Sequence, residues 1–133
     1  TGAAARFTHD PADPESLGSD DVRALLQDAD GALWVGTRDG GLERLDPATG
    51  AFQHFRHDPS DPRSLGADTV LALALDAHGG LWVGTDGGGL NRFGRDRGDF
   101  TRFTHDPYRP ASLASDRIYS LLIDRSGILW AGT

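Results

Sequence analysis

A unit of 48 residues recurs along this chain of 133, and that period restricts the available folds more than any other feature. His9-Asp10-Pro11 returns as His57-Asp58-Pro59 and again as His105-Asp106-Pro107. Trp34, Trp82 and Trp130 keep the same interval, as do Leu17, Leu65 and Leu113. Laid over each other without a gap, residues 9–56 and 57–104 agree at 27 of 48 positions. A repeat of this length belongs to a stack or ring of identical supersecondary units. No such unit buries its apolar face alone, so its neighbours must supply the opposing wall.

Within one copy the apolar segments are short. Val22–Asp28, Leu33–Thr37, Leu42–Asp46 and Ala51–Arg56 are separated by Ala29-Asp30-Gly31-Ala32, Arg38-Asp39-Gly40-Gly41 and Pro47-Ala48-Thr49-Gly50. None has the length of a packed helix, and turn residues interrupt the chain at the spacing of strands. Leu33 and Val35 alternate with Trp34 and Gly36, the period of two that belongs to a strand using both faces. Asp-Gly and Thr-Gly pairs provide the positive backbone dihedrals of tight hairpins. The fold class expected is all-β: β-propeller blades of four antiparallel strands.

Two complete blades are expected, from about 22 to 56 and from 69 to 104, with two strands of a third before Thr133. Residues 1–8 read as the end of a preceding copy, and copies 9–56, 57–104 and a truncated 105–133 make a partial propeller over 1–133. So few repeats cannot close a ring of six to eight blades. The chain is therefore expected to be an excerpt, or a protomer that associates with copies of itself; the missing initiator Met favours the excerpt.

The residues HDPxDPxSLxxDxV…LLxDxxGxLWVGTxxGGLxRLD…GxFxxF resemble the two-component regulator propeller repeat. The resemblance covers the whole chain. Copy two departs from it with Gly94-Arg95 where copy one has Asp46-Pro47, and copy three has Ala131 for Val35 and Val83. Such repeats are similar to those in the extracytoplasmic sensor regions of bacterial hybrid histidine kinases and some diguanylate cyclases. The resemblance implies a periplasmic or otherwise extracytoplasmic, non-catalytic module of a signalling receptor. It would bind a small-molecule or oligosaccharide cue, such as a glycan, and pass that event to an output module. The rival reading is a purely structural or oligomerising scaffold without a small-molecule ligand, its partners being other blades in cis or copies of the chain in trans.

Composition narrows the partners. A net charge of −7 argues against a nucleic-acid or anionic-membrane surface. No run has the apolar length of a membrane span, so direct insertion is not expected. Cysteine is absent, which excludes disulfides and a thiol nucleophile. No G-x-S-x-G or strand–loop–helix phosphate motif occurs. Arg23, Gln27, Arg117 and Tyr119 on the inner strands form no acid–base pair, so no enzyme and no cofactor are expected.

Asp28-Ala29-Asp30-Gly31 begins like a calcium loop but runs straight into a strand, and reads as a hairpin turn. The His-Asp-Pro copies lie on separate blades, roughly 10 Å or more apart, too far to share a metal ion; their Asp is expected to cap the loop amides that follow. Trp34, Trp82 and Trp130, each with a glycine two residues on (Gly36, Gly84, Gly132), are assigned to packing between blades rather than to a ligand platform. His54 and His78 occur once each and read as exposed.

In an up-and-down blade alternate connections share a face. His9–Asp21, His57–Thr69 and His105–Arg117 should therefore lie with Arg38–Gly41 and Asp86–Gly89, opposite the tight turns Ala29–Ala32 and Pro47–Gly50. Loops on a rigid scaffold carry recognition. The variable members of the loop-rich face, Glu15, Arg38, Asp39, Arg63, Asp86, Tyr108 and Arg109, are the candidate ligand-binding residues.

Overall fold

The computed structural model describes residues 7–133. The expected end of a preceding copy, residues 1–8, lies mostly outside them. Ten strands follow in order: β1 (Val22–Gln27), β2 (Leu33–Thr37), β3 (Leu42–Leu45), β4 (Phe52–Phe55), β5 (Val70–Leu75), β6 (Leu81–Thr85), β7 (Leu90–Gly94), β8 (Asp99–Phe103), β9 (Ser120–Ile123) and β10 (Leu129–Gly132). Two antiparallel sheets of four strands, β1-β2-β3-β4 and β5-β6-β7-β8, precede the pair β9-β10. The first strands lie side by side, β5 between β1 and β9. This is an all-β, incomplete propeller, unclosed within the chain. Among the described residues no helix is long and apolar enough to cross a membrane.

Repetition in sequence becomes repetition in register. Leu25 pairs with Val35 as Leu73 pairs with Val83, and both first strands shift register at one place, between Val22 and Ala24 and between Val70 and Ala72. Gly31, Gly79 and Gly127 close the first hairpin of each copy with φ between 78° and 84°, the left-handed region that an L side chain enters at a cost.

The core lies between the first two sheets. Trp34 is fully buried, with ring centroids of Phe93 at 5.1 Å and Phe55 at 5.8 Å. Phe100 completes the box, 5.3 Å from Phe93. Leu42, Leu65, Val70, Leu81 and Val83 pack around it. Gly36 lets the next blade approach: a Cβ there would sit 2.5 Å from Val70 Cγ1. At Gly84 it would sit 2.7 Å from Ile118 Cγ2.

The other two tryptophans sit differently from the expected core packing. Trp82 is half-buried against Phe103, beside a cleft of about 590 Å³ in the place that Phe93 and Phe100 fill one blade earlier. Trp130 is 59% exposed, because no further sheet lies over β10 among the described residues. A Cβ on Gly132 would collide with Ser120 Oγ of its own sheet, not with a next blade.

Candidate functional site

The long crossing loops are built alike. In each, the histidine that opens the loop gives its Nδ1–H to a leucine carbonyl: His9 to Leu17 at 2.7 Å, His57 to Leu65 at 2.8 Å, His105 to Leu113 at 2.6 Å. A carbonyl only accepts, so these rings carry hydrogen on Nδ1. The same histidines' backbone N–H groups donate to Asp20, Asp68 and Asp116. The aspartate of each His-Asp-Pro accepts from the amide two residues on, at 2.9 Å in Ala12, Ser60 and Tyr108. These are Asx turns, and they absorb the polar groups of the motif.

The loops share a face with the β2–β3 and β6–β7 turns. Arg38 N–H donates to Asp21 O at 2.9 Å, and Asp86 N–H to Thr69 O at 2.9 Å. Gly41 N–H reaches Asp68 O, and Gly89 N–H reaches Asp116 O, both at 2.8 Å. Each turn is thereby tied to the loop entering the next blade.

The candidate binding residues divide into three places on this face. Arg38 and Asp86 lie at the inner rim. Arg38 is 3.7 Å from Asp21, which also pairs with Arg23 at 2.8 Å. Asp86 is engaged by Arg117 at 2.6 Å, whose guanidinium also donates to the Tyr119 hydroxyl at 3.3 Å. Those two contacts and the Asp86 charge hold Arg117 above its ordinary value. Arg63 and Arg109 lie farther out. Arg63 lines a groove of about 520 Å³ between the first two blades, with Arg56, Asp58, Asp61 and Arg97. Arg109 borders the cleft beside Trp82 and is 3.6 Å from Asp106. Tyr108 projects almost free, 92% exposed. Asp39 is exposed at the β2–β3 turn, and Glu15 is exposed with its backbone carbonyl bonded to Phe52 N–H. The seven residues thus do not meet in one pocket. Among the described residues no three His, Cys, Asp or Glu side chains converge as metal ligands.

Two arrangements escaped the sequence reading. The aspartate six residues before each tryptophan accepts its indole N–H: Asp28 from Trp34 at 2.8 Å, Asp76 from Trp82 at 3.0 Å, Asp124 from Trp130 at 2.9 Å. Its other oxygen accepts two turn amides, Asp30 and Ala32 in the first copy. Burial works against ionisation of Asp28, but the indole, the Asp30 amide and Arg95 outweigh it and hold the carboxyl below its ordinary range. Arg95, which replaces Pro47, reaches across from the second blade to Asp28 at 3.4 Å and Asp30 at 3.5 Å. The constant Asp–Trp spacing was the available signal.

The second is Glu43 with His54. His54 is not exposed as expected: its side chain keeps 25% exposure, one ring nitrogen against Glu43 Oε2 and Nε2 on Pro14 O at 2.6 Å. Glu43 is fully buried, and its Oε1 has no hydrogen-bond partner among the described residues. Burial pushes its carboxyl up to about 7, against the attraction of His54 and Arg56.

Three segments, residues 16–39, 64–87 and 112–133, match the family described as two component regulator propeller. The chain belongs to that family. The regulator propeller repeats are similar in structure to the extracellular domain of the hybrid two component system BT4673 from B. thetaiotaomicron, with 30% identity and a TM-score of 0.67 over 84% of this chain and 14% of that one. A second such extracellular domain, BT3049 from the same organism, shares the fold at 22% identity and TM-score 0.80, over 95% of this chain and 17% of its own. PorZ, a surface component of the type-IX secretion system of Porphyromonas gingivalis, shares it at 23% identity and TM-score 0.69, over 96% of this chain and 18% of its own. The regulator propeller segment thus spans less than a fifth of the length of these proteins. A search of the curated proteins finds no match.

Proposed function

We propose that this chain is a non-catalytic, ligand-sensing portion of an extracytoplasmic propeller in a two-component signalling receptor, with an oligosaccharide as the ligand class. The observation that carries this reading is the family membership, joined to the 30% identity with the extracellular domain of a hybrid two component system. The architecture is consistent with it. A rigid, hydrogen-bonded loop scaffold presents side chains that differ between copies, as recognition of an asymmetric ligand requires. Arg63 and Tyr108 contribute most in this reading, because Asp86 and Arg109 already have ion-pair partners while Tyr108 offers an open aromatic face.

The test is a thermal-shift screen of the intact receptor ectodomain against oligosaccharides that span neutral and acidic sugars and several linkage types. A saturable stabilisation by one glycan class, reduced by Tyr108→Ala or Arg63→Ala, is the expected result. No stabilisation across all classes would instead favour an architectural propeller whose partners are other blades or subunits.

A further inference from the structure

Equivalent crossing loops in the two complete blades are fastened by different chemistry. In the second blade, Asn91 on β7 and its register partner Arg102 on β8 hold the loop 57–69. Asn91 Oδ1 accepts Gly66 N–H at 2.9 Å, and its amide donates to Gly88 O at 3.2 Å. Arg102 donates to Ser64 O at 2.9 Å, Ser64 Oγ at 2.9 Å and Asp61 O at 3.1 Å. A carboxamide does not titrate, and a guanidinium stays charged throughout the ordinary pH range. In the first blade the same register positions are Glu43 and His54. The Gly18 amide faces the Glu43 carboxyl as Gly66 faces Asn91, but the place of Arg102 is taken by one imidazole between Glu43 and the Pro14 carbonyl.

The proton count of that imidazole is constrained by its partners. Pro14 O can only accept, so Nε2 must carry a hydrogen. The contact of Nδ1 with Glu43 Oε2 then needs one proton, carried by either atom. Removing it leaves two arrangements. Either a bare Nδ1 faces a carboxylate, or the hydrogen moves to Nδ1 and a bare Nε2 faces the Pro14 carbonyl. Both set lone pair against lone pair, so one contact must open. A second proton does no such harm, because Nδ1–H can still donate to the carbonyl oxygen of a protonated carboxyl. The device therefore opens only on the alkaline side.

We propose that Glu43 and His54 form a one-proton latch that fastens the first blade's crossing loop and frees it when that proton is lost. The complete burial of Glu43 disfavours its ionised form and outweighs the pull of His54, Arg56 and the adjacent Gly18 amide, which keeps the proton in place up to about neutral pH.

The charges around the pair do not cancel this response. From the loop, His9, Asp10 and Asp13 share a cavity with His54 and with Arg56 at the end of β4. Across the outer groove stand Asp58, Asp61 and Arg63, with Arg97 of the β7–β8 turn and Asp99 at the start of β8. The β2 partner of Glu43 is the uncharged Val35. Among these side-chain types only an imidazole ordinarily changes charge near neutrality. His9 keeps its Nδ1–H donor to Leu17 as either a cation or the neutral Nδ1–H tautomer, and His57 repeats that bond in the second loop. This bond is common to both loops and drops out of the comparison.

The test is amide hydrogen exchange on the intact protein at about pH 6 and about pH 8, corrected for the intrinsic pH dependence of exchange. Once the pair titrates, protection over residues 10–20 should fall about tenfold per pH unit, as loss of one proton requires. Residues 58–68 should hold theirs. The double substitution E43N/H54R, which copies the second blade's pair, should make the first loop behave like the second. Equal losses in both loops, no loss in the first, or a response that survives the double substitution would each overturn the latch. If the double variant fails to fold, ¹⁵N-histidine NMR of the unaltered protein decides. A His54–Glu43 proton lost together with loop protection supports the latch; a titrating His54 with an unchanged loop refutes it. Loop protection is read without any ligand, so the outcome is independent of the proposed glycan role.

Discussion

At the scale of single residues, carboxyl groups of two kinds impose opposite pH dependences on the blades. Asp28 and Asp76 are held below their ordinary value of 3.8, so the stability they confer is present above that value and is lost as pH falls through their lower folded values. Glu43 is raised from 4.5 to about 7, so its contribution is present below 4.5 and is lost as pH rises through about 7. Stability of the blade region should therefore peak near ~pH 4, between the two ordinary values, and decline towards ~pH 7. Melting temperature against pH checks this; a flat profile from ~pH 4 to ~pH 7 would contradict it, and E43N/H54R should flatten the neutral limb. Asp28→Asn should also cost about 1–3 kcal/mol in denaturant unfolding, because the amide group cannot accept all three N–H donors now served. The Asp28–Trp34 contact was detectable as a fixed spacing in the sequence but not as a bond, since spacing does not say where an indole Nε1 points. Glu43 and His54 were hidden for another reason. Their partnership depends on the β3–β4 register and on a loop carbonyl forty residues away from His54.

At the scale of strands and sheets the sequence was far more legible. Each strand falls inside the segment expected for it because the breakers are strong and appear in every copy. Gly31 and Gly79 carry positive φ, and Leu33–Thr37 and Leu81–Thr85 alternate around a tryptophan. The pairing of blades was legible only as a need for a neighbour. Which residues meet required coordinates: Trp34 with Phe93 and Phe55, and Gly36 with Val70. Removing the ring in Trp34→Ala should cost about 3–5 kcal/mol, read as a lowered unfolding midpoint. Gly36→Ala tests the same interface from the other side. Its methyl group would press on Val70, itself fully buried and unable to give way, so a loss of about 1–3 kcal/mol is expected. An unchanged midpoint in either variant would show that the blades do not pack through this seam.

At the scale of the whole molecule, one face is tied and presented while the other is closed by short turns. Connections Gly41–Asp68 and Gly89–Asp116 carry the loop-rich face from one blade to the next, and Arg95 to Asp28 and Asp30 joins the turns on the opposite side. The position of the loop-rich face followed from topology alone. The division of its candidate residues into an inner rim, an outer groove and a projecting Tyr108 did not, because ion pairs such as Asp86–Arg117 join residues from different blades. The central functional claim is that this face meets the ligand. Its most direct test is differential hydrogen exchange of the intact receptor, with and without the stabilising oligosaccharide. Protection over residues 57–69, 105–117, 38–41 and 86–89, with the turns 29–32 and 47–50 unchanged, is the result the account predicts. Protection confined to those turns, or absent from both faces while the glycan is bound elsewhere, would contradict it.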